Sequence, residues 1–243
     1  MHWGVDGDII LYSVAFAAKD DPVEYALKST RSACEQIMYD VNADAITVYL
    51  TGSGNYRAQI AHDYKGNRKS ADKPEHYGAI KEYMIETLGA VLIEGEEADD
   101  ALGYGACTQG HGIATLDKDL DGVPGVHYNW KRKEVYYVSP EDADRFFYKQ
   151  MLTGDATDNI PGLFRMTGKK ASKKFYEPLE TMDDPAEMYA HVRAIYSDAY
   201  DSIGMCPDDK DEVIDGWLLK IARCLWIRRE PGQMWEVPRG KES

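Results

Sequence analysis

The sequence is poor in cysteine, and the four cysteines that it has are far apart. Cys34, Cys107, Cys206 and Cys224 form no CxxC pair, so their spacing indicates neither a zinc site nor a disulfide framework. A chain of 243 residues is long enough to bury a core without such cross-links. A reducing, cytoplasmic setting therefore fits the composition best.

Long hydrophobic runs and a phosphate-binding glycine loop are also missing. No apolar run reaches the length that spans a membrane. Residues 1–6 carry no run of basic residues, so we expect no secretory signal. Residues 168–171, GKKA, lack the spacing and the hydroxyl of a GxxxxGKS or GxxxxGKT motif, which argues against a P-loop phosphotransferase. We expect a soluble protein without a membrane partner.

Positive charge is scarce as well, because 28 Lys and Arg stand against 42 Asp and Glu and give a formal net charge of −14. Taken alone, this argues against nucleic-acid binding, which usually shows a basic footprint. Two basic islands depart from the average. One is the lysine-rich run, residues 165–174, which contains five positive charges and no negative one. The other lies within residues 56–74, which we interpret as a mobile surface segment whose cations and rings suit phosphates and bases.

Acids are concentrated at residues 94–100, which read EGEEADD. The helix macrodipole favours acids in a first turn, which accounts for one or two of them. It does not account for Asp99 and Asp100, which fall where a helix would turn its apolar face inward. Such close like charges repel, and a divalent cation bound by carboxylates would relieve the repulsion. We therefore predict a metal site here, with Glu94 and Glu96 as surface or helix-start acids.

Strand-like and helix-like segments alternate up to about residue 138, which predicts a mainly parallel sheet with helices on both faces. Three predicted strands end in acids: one in Asp6, one in the acidic stretch, and one in Asp117 and Asp119. Carboxyl ends of parallel strands lie along one edge of the sheet. Any single group could be helix capping, and we interpret Asp8 as an N-cap, but three at equivalent places favour a metal site.

A further pair of acids follows a predicted helix at 139–152. Residues 154–162 read GDATDNIPG, and the three-residue spacing of Asp155 and Asp158 puts both on one face of a helical turn. The alternative is an ordinary pair of Asx turns. The lysine-rich run comes next, with a helix predicted at 169–176, an arrangement suited to phosphate-backbone contact. It carries no base-reading signature, so it predicts sequence-independent binding.

Together these pieces resemble the 5′ nuclease superfamily, which includes phage-type 5′→3′ exonucleases, flap endonucleases and the 5′ nuclease domain of bacterial DNA polymerase I. The matching segments occur in the family's order, between residue 5 and about residue 176. They are VDG at 5–7, YKGNR at 64–68, EADD at 97–100, LDKD at 116–119 and GDATDNIPG at 154–162. Residues 225–232, LWIRREPG, are similar to phage exonucleases in particular.

The resemblance implies an α/β fold with a PIN-like, mainly parallel sheet flanked by helices, and a helical C-terminal region. The implied divisions are a catalytic domain at 1–138, a helical region at 139–230 and a tail at 231–243. Within the helical region, about 154–176 would form a helix–hairpin–helix-type (H3TH) element that grips duplex DNA. The implied activity is metal-dependent hydrolysis of duplex or flap DNA from a free 5′ end, by a monomer in a bacterial or phage-infected cytoplasm.

The resemblance also assigns roles to single residues. The catalytic residues would be Lys65, Arg68, Asp6, Asp100 and Asp119. The carboxylates that would hold two Mg²⁺ ions, for which Mn²⁺ can substitute, are Asp6, Glu97, Asp99, Asp100, Asp117, Asp119, Asp155 and Asp158. The residues that would contact DNA are Arg57, Tyr64, Lys65, Arg68, Lys69, Arg165, Lys169, Lys170, Lys173 and Lys174.

Two departures from the family's pattern leave alternatives open. Relatives usually carry an acid after the strand predicted at 45–50, where this chain has Thr51, so one outer ligand is missing or is replaced by Asp63. The hairpin at 162–168 has an altered length, which leaves a K⁺ site on its carbonyls open, and the segment for a threading arch is short. The alternative functions are a PIN-like endoribonuclease and a catalytically inactive DNA-binding or scaffold protein.

Overall fold

The structure, a computed structural model, describes residues 1–68, 72–204 and 207–240. Within these ranges one six-stranded sheet has the order β3-β2-β1-β4-β5-β6. All neighbouring strands are parallel except β5 and β6. The strands are β1 (His2–Asp6), β2 (Ala45–Thr51), β3 (Val91–Ile93), β4 (Gly112–Ala114), β5 (Gly125–Asn129) and β6 (Glu134–Val138). The predicted α/β fold with a mainly parallel sheet is confirmed.

Helices connect and follow the strands. They are α1 (Gly7–Ala17), α2 (Val23–Asp40), α3 (Arg57–Ile60), α4 (Tyr77–Glu86), α5 (Ala98–Gln109), α6 (Pro140–Thr153), α7 (Phe164–Thr167), α8 (Lys173–Tyr176), α9 (Pro185–Ser202) and α10 (Lys210–Leu225). The helix predicted at 169–176 therefore begins only at Lys173, because Gly168 ends α7 in a left-handed conformation and Thr167 accepts a hydrogen bond from the Lys169 N–H. Among the described helices, none has the length and apolar character that a bilayer crossing requires.

The chain divides into two compact units. Unit 1 comprises Met1–Tyr56, Ser70–Val138 and Ile227–Gln233, and unit 2 comprises Arg57–Lys69, Ser139–Trp226 and Met234–Ser243. The segment around Lys65 is thus part of unit 2, while residues 227–233, which we call the return segment, are part of unit 1. The catalytic and DNA-binding roles of the divisions that we derived from the sequence stay predictions.

Unit 1 is organised by its sheet. β1 is central, and Val5 pairs in parallel with Val48 of β2 and Ala114 of β4, so burial on both faces suits these small and β-branched residues. Ile10 and Leu11 of α1 pack into the same core. The pairing of Asp6 with Tyr49 and of Thr51 with Ile93 fixes which side chains lie at the carboxyl edge of the sheet.

Unit 2 is helical and has its own core. Met151 and Leu152 of α6, Val192 and Tyr196 of α9, and Leu218 of α10 are fully or almost fully buried there. Ser139 caps α6 by accepting the Asp142 N–H, and Pro140 follows at the first helical position, as the sequence predicts. This core carries the acids at 154–162 and the lysine-rich run on loops and short helices.

Candidate functional site

Asp6 stands at the end of β1 and is almost fully buried. Its carboxylate accepts hydrogen bonds from the Ile9 N–H at 3.2 Å and the Thr115 hydroxyl at 2.8 Å. Burial raises the pKa of Asp6 to about 7, and the charges of Asp8 and Asp117 push it in the same direction. The N-cap of α1 is therefore Asp6 and not Asp8, because only the residue before the helix can turn its side chain back to the free N–H groups.

Asp8 has a role that the capping interpretation missed. Its carboxylate accepts the backbone N–H of Thr51 at 3.1 Å, at the end of the neighbouring strand β2. Burial raises the pKa of Asp8, and the charge of Glu97 adds to this, while Lys81 opposes it. Asp8 thus belongs to the acids at the sheet edge. The signal in the sequence is a second acid two residues beyond the end of a predicted strand.

Thr115 connects the ends of β1 and β4. Its hydroxyl donates to Asp6 and accepts the Asp117 N–H at 2.9 Å. Asp117 in turn accepts the Asp119 N–H at 2.9 Å and caps the 3-10 turn at 118–122. Asp119 is half-buried in that turn. Both predicted ligands therefore follow β4 at the same sheet edge as Asp6.

The acids at the start of α5 differ in role. Asp100 is fully buried, and its two carboxylate oxygens accept the Glu97 N–H at 3.1 Å and the Arg228 N–H at 3.0 Å. This makes Asp100 a capping residue that also holds the return segment, and its place among the metal ligands stays a prediction. Glu97, which is buried, and Asp99, which is half-buried, precede and open the helix.

Thr51, which stands where relatives usually carry an acid, forms two hydrogen bonds at the sheet edge. Its hydroxyl accepts the Ala98 N–H at 3.0 Å and so caps α5, while its backbone N–H binds Asp8. Asp63 lies in unit 2, where it pairs with Arg165 at 3.6 Å. Within unit 1, Asp8 is thus an acid that the structure places at the end of β2.

Glu96 is paired with an arginine of the return segment. The Arg228 guanidinium contacts the Glu96 carboxylate and stacks over the Tyr56 ring, 4.0 Å from its centroid. Gly103 allows this approach, because a Cβ there would lie 2.3 Å from the Arg228 carbonyl oxygen. The return segment therefore fixes the start of the helix that carries Glu97 and Asp99.

We call Asp6, Asp8, Glu97, Asp99, Asp117 and Asp119 the acid edge of unit 1. Carboxylates are the ligands that a hard divalent cation prefers, and the mutual repulsion at Asp6 and Asp8 is what such a cation would relieve. Among the described residues, however, no three Asp, Glu, His or Cys side chains converge closely enough to hold a metal ion. The donor set fits a metal in its chemistry, and binding would have to draw the side chains together.

In unit 2, residues 154–162, the acidic loop, form a tight turn. Asp155 and Ile160 pair across it, and their backbone N–H and C=O groups bond reciprocally at 2.7 Å. Gly154 has φ +68°, and a Cβ there would lie 2.2 Å from the Ile160 carbonyl oxygen. Asp155 is buried and accepts the Thr157 N–H at 2.8 Å, which agrees with the Asx-turn alternative.

Asp158 contacts residues 64 and 65. Its carboxylate accepts the Tyr64 hydroxyl at 2.8 Å and lies 3.5 Å from the Lys65 ammonium. Asn67 donates to the Ala156 carbonyl at 3.0 Å. Residues 64–67 and the acidic loop are therefore cross-linked within unit 2.

Residues 57–64 are only in part the surface segment that the sequence suggests, because buried side chains occur there among exposed ones. Arg57 is buried to 2% exposure, and its guanidinium donates to the carbonyls of Cys224 and Trp226 at the end of α10. Tyr64 is buried with only 6% exposure. Tertiary hydrogen bonds and packing occupy both side chains, and their predicted DNA contacts stay predictions. Sequence reasoning could not detect an arginine that caps a helix 167 positions away.

The structure describes most of the remaining predicted DNA contacts, and their side chains differ in exposure. Arg68 ends the 3-10 turn at 66–68, and its side chain, like all of Lys69, lies outside the described residues. Lys65 is partly exposed. All five cations of the lysine-rich run are exposed, namely Arg165, Lys169, Lys170, Lys173 and Lys174. The H3TH character of this region stays a prediction.

Comparison with known proteins gives relatives in sequence and in fold. No protein-family model matches the chain. The thermostable DNA polymerase I of Thermus aquaticus is 28% identical over 196 residues, and that of Thermus filiformis is 27% identical over 196 residues. Each match includes 71% of this chain and 23% of the polymerase. The chain thus spans less than a quarter of the length of these curated relatives.

The fold matches solved phage structures. The 5′-exonuclease of phage T5 with bound zinc superposes with a TM-score of 0.53 at 19% identity, over 91% of this chain and 100% of that one. A complex of the T5 flap endonuclease with DNA and metal ions gives a TM-score of 0.50 at 19% identity, over 91% and 98% of the two chains. The resemblance to the 5′ nuclease superfamily, predicted from the motifs, is confirmed in sequence and in fold.

Proposed function

We propose that this chain is a divalent-metal-dependent nuclease that hydrolyses DNA phosphodiester bonds from a free 5′ end, as a 5′→3′ exonuclease or a 5′ flap endonuclease. The observation that carries the proposal is the acid edge, where Thr115 connects Asp6 to Asp117, and where burial, with the charges of Asp8 and Asp117 added to it, raises the pKa of Asp6 to about 7. Sites that gather like charges in this way are typically functional. The relatives in sequence and the T5 fold support the same class of enzyme.

We assign divalent cations, Mg²⁺ in the first instance, to the acid edge. When bound, such ions activate a water molecule and stabilise the leaving 3′-oxygen of the scissile phosphate, and two ions can divide these tasks. Asp6, whose carboxylate is held by Thr115 and Ile9, would present its oxygens without large side-chain entropy loss, and Asp119 would add a carboxylate from the 3-10 turn. Asp155 and Asp158 are assigned to the second ion on the family resemblance alone.

Lys65 is assigned to the phosphate. Its ammonium is partly exposed and is held near Asp158, so it is oriented and still able to reach a phosphoryl oxygen. A fixed cation that meets charge as it develops stabilises the transition state. Arg68 shares this role by its place in the family motif. No protein nucleophile is required.

The lysine-rich run is assigned to the DNA backbone. Five exposed cations within ten residues form a local basic surface, which explains how an acidic protein can bind a polyanion. Phosphate contacts carry no base information, so we propose sequence-independent binding to duplex or flap DNA. The biological setting that we propose is replication, recombination or repair in a bacterial or phage-infected cytoplasm, with the protein as a monomer.

The experiment is a time course on 5′-labelled duplex and 5′-flap DNA, with Mg²⁺ and with EDTA. Release of mononucleotides from the duplex end identifies an exonuclease, and release of intact flaps identifies a flap endonuclease. Single-stranded RNA in a parallel reaction tests the PIN-like endoribonuclease alternative. Cleavage of that RNA with DNA untouched would contradict the proposal, as would equal DNA cleavage in EDTA.

We expect Asp119→Ala to lower the rate of DNA cleavage on the order of a thousandfold, since ligand loss removes several kcal/mol of transition-state stabilisation. DNA binding should survive, because the DNA contacts are assigned elsewhere. Asp20→Ala is the matched control, because the Asp20 side chain is 89% exposed on the surface of the same unit. Unchanged cleavage by Asp119→Ala in Mg²⁺ would remove the carboxylate site from the proposal.

A further inference from the structure

Unit 2 contains a cavity of about 100 Å³ that the proposed reaction does not use. Its walls come from residues 61–64, residues 159–166, α9 and α10. The apolar part is lined by Ile160, Met166, Trp217 and Ile221, with Cys224 also in contact with it. It adjoins Tyr64, whose hydroxyl holds Asp158. A cavity of this kind, apolar and flanked by an aromatic ring, is typical of a ligand site.

The polar groups that line the cavity are mainly cationic. Arg165 and Lys220 both contact it, and the one acid in the lining is Asp63. The Arg165 guanidinium lies 3.6 Å from the Asp63 carboxylate, with both side chains about half exposed or more. Exposed pairs of this kind contribute little stability. A phosphate could therefore replace Asp63 at Arg165 without disturbing the fold.

We propose that this cavity binds the base of a single unpaired nucleotide of the DNA substrate, with Arg165 and Lys220 at its phosphate. The proposal rests on the assigned DNA substrate and adds a base-binding site to it. Aromatic rings with nearby cations are the usual means of holding an unpaired base. The anionic phosphate complements the two cations, and the apolar walls suit a flat ring.

The size of the cavity selects among bases. At about 100 Å³ the cavity is smaller than an engineered apolar cavity of about 150 Å³ that holds one benzene molecule, so a single six-membered ring enters it only in part. The two fused rings of a purine need more room. The site therefore prefers pyrimidine nucleotides, a preference that binding through the phosphate alone would not produce.

The first test is calorimetric titration of the whole chain with dTMP, dAMP and 2-deoxyribose 5-phosphate, in EDTA to exclude binding through a metal. We expect dTMP to bind most tightly and the base-free sugar phosphate roughly tenfold more weakly, because it lacks ring stacking. Equal affinities for all three would overturn the site, since only the phosphate would then be recognised.

The second test changes the charge at the cavity. Lys220→Ala should weaken dTMP binding roughly tenfold, as the loss of a charge-assisted hydrogen bond predicts, and Lys220→Arg should restore it. Lys28→Ala, an exposed lysine of α2 in unit 1, removes the same charge elsewhere and should change nothing. Equal effects of Lys220→Ala and Lys28→Ala would show that only net charge matters and would overturn the site.

Cys224 provides a third test that needs no variant. Burial raises the pKa of its thiol to about 11, so modification by methyl methanethiosulfonate will be slow but measurable by peptide mass spectrometry. Bound dTMP should slow modification of Cys224 and leave exposed Cys107 unchanged. The same rate at Cys224 with and without dTMP would place the nucleotide elsewhere.

Failure of this inference and failure of the proposed function are distinguishable. If the chain cleaves DNA normally with Mg²⁺ but dTMP neither binds nor protects Cys224, the cavity has no base-binding role and the nuclease stands. If dTMP binds with the expected dependence on Lys220 but no DNA is cleaved, the nucleotide site stands and the nuclease proposal fails.

Discussion

The acid edge of unit 1 and the acidic loop of unit 2 hold their carboxylates in different ways. At the acid edge, Asp6, Asp8 and Asp117 are bound by hydroxyl and backbone N–H groups, which orient a carboxylate and carry no net charge of their own. In the acidic loop, Asp158 has an ammonium and a phenol as neighbours. Neutral dipoles leave an anionic site that can attract a cation, whereas a paired carboxylate fixes the position of its partner. We infer that the acid edge binds metal and that Asp158, which we assign to the second ion, also positions Lys65.

Arg57 and Arg165 give the sharpest contrast between a buried and an exposed cation within unit 2. Arg57→Met should lower the free energy of unfolding by about 3 kcal/mol, because it leaves buried carbonyls at the end of α10 unpaired. Arg165→Met should change the free energy of unfolding by less than about 0.5 kcal/mol. It should weaken DNA binding and reduce the slope of the logarithm of the binding constant against the logarithm of the salt concentration by about one. Urea unfolding and DNA titration at several salt concentrations measure both. Weakened DNA binding by folded Arg57→Met would restore the original assignment.

Lys65→Ala tests whether the acidic loop contributes to cleavage through the lysine that Asp158 holds. We expect the cleavage rate at saturating DNA to fall roughly a hundredfold, since a positioned donor at the phosphoryl oxygens is lost. Lys169→Ala is the matched comparison, because it removes an exposed cation of the lysine-rich run and should raise KM while kcat stays unchanged. Single-turnover and steady-state rates separate the two. A pure KM effect of Lys65→Ala would make it another backbone contact.

The sequence predicts the acid edge better than the role of each acid in it. Strand ends can be located from local hydrophobic pattern, and the parallel order of the strands then brings Asp6, Asp117 and the acids before α5 to one edge. The hydrogen bonds of Asp8 and Asp100 that the sequence does not predict are made with partners far along the chain. Asp8 binds Thr51, 43 positions away, and Asp100 binds Arg228, 128 positions away. Local spacing contains no information on such contacts.

The same limit explains the error at residues 57–64. A polar stretch with interspersed cations, such as residues 56–74, is usually a solvated loop. Here Ala61 and Tyr64 pack with Ile160 and Cys224 in a small core of their own, which depends on where α10 ends. Helix α10 ends at Leu225, because Trp226 is extended and its carbonyl is bound by Arg57.

The pH dependence of the free energy of unfolding tests the raised pKa of Asp6. The pKa of Asp6 is raised from 3.8 to about 7 by burial, so the folded state binds a proton that the unfolded state has already lost between these values. Stability is therefore greatest at low pH with respect to this group and should fall by about 2 kcal/mol as the pH rises from about 5 to 7 in EDTA. Asp6→Asn should flatten this fall, and excess Mg²⁺ should reverse it in the natural chain. A slope that is the same in Asp6→Asn would assign it to other groups.

Arg228→Ala probes a place at the start of α5 where a cation, and not a neutral hydrogen-bond donor, holds an acid. It removes the pair with Glu96 and the stacking on Tyr56, and we expect a loss of about 1–2 kcal/mol in the free energy of unfolding. Arg239→Ala, an exposed arginine, is the control and should have no effect. If the return segment only stabilises, Mg²⁺ affinity will be unchanged in Arg228→Ala. A weaker Mg²⁺ affinity in a fully folded variant would show that Arg228 also positions Glu97 and Asp99. An ion pair would then orient the metal site of unit 1, just as Asp158 orients Lys65 in unit 2.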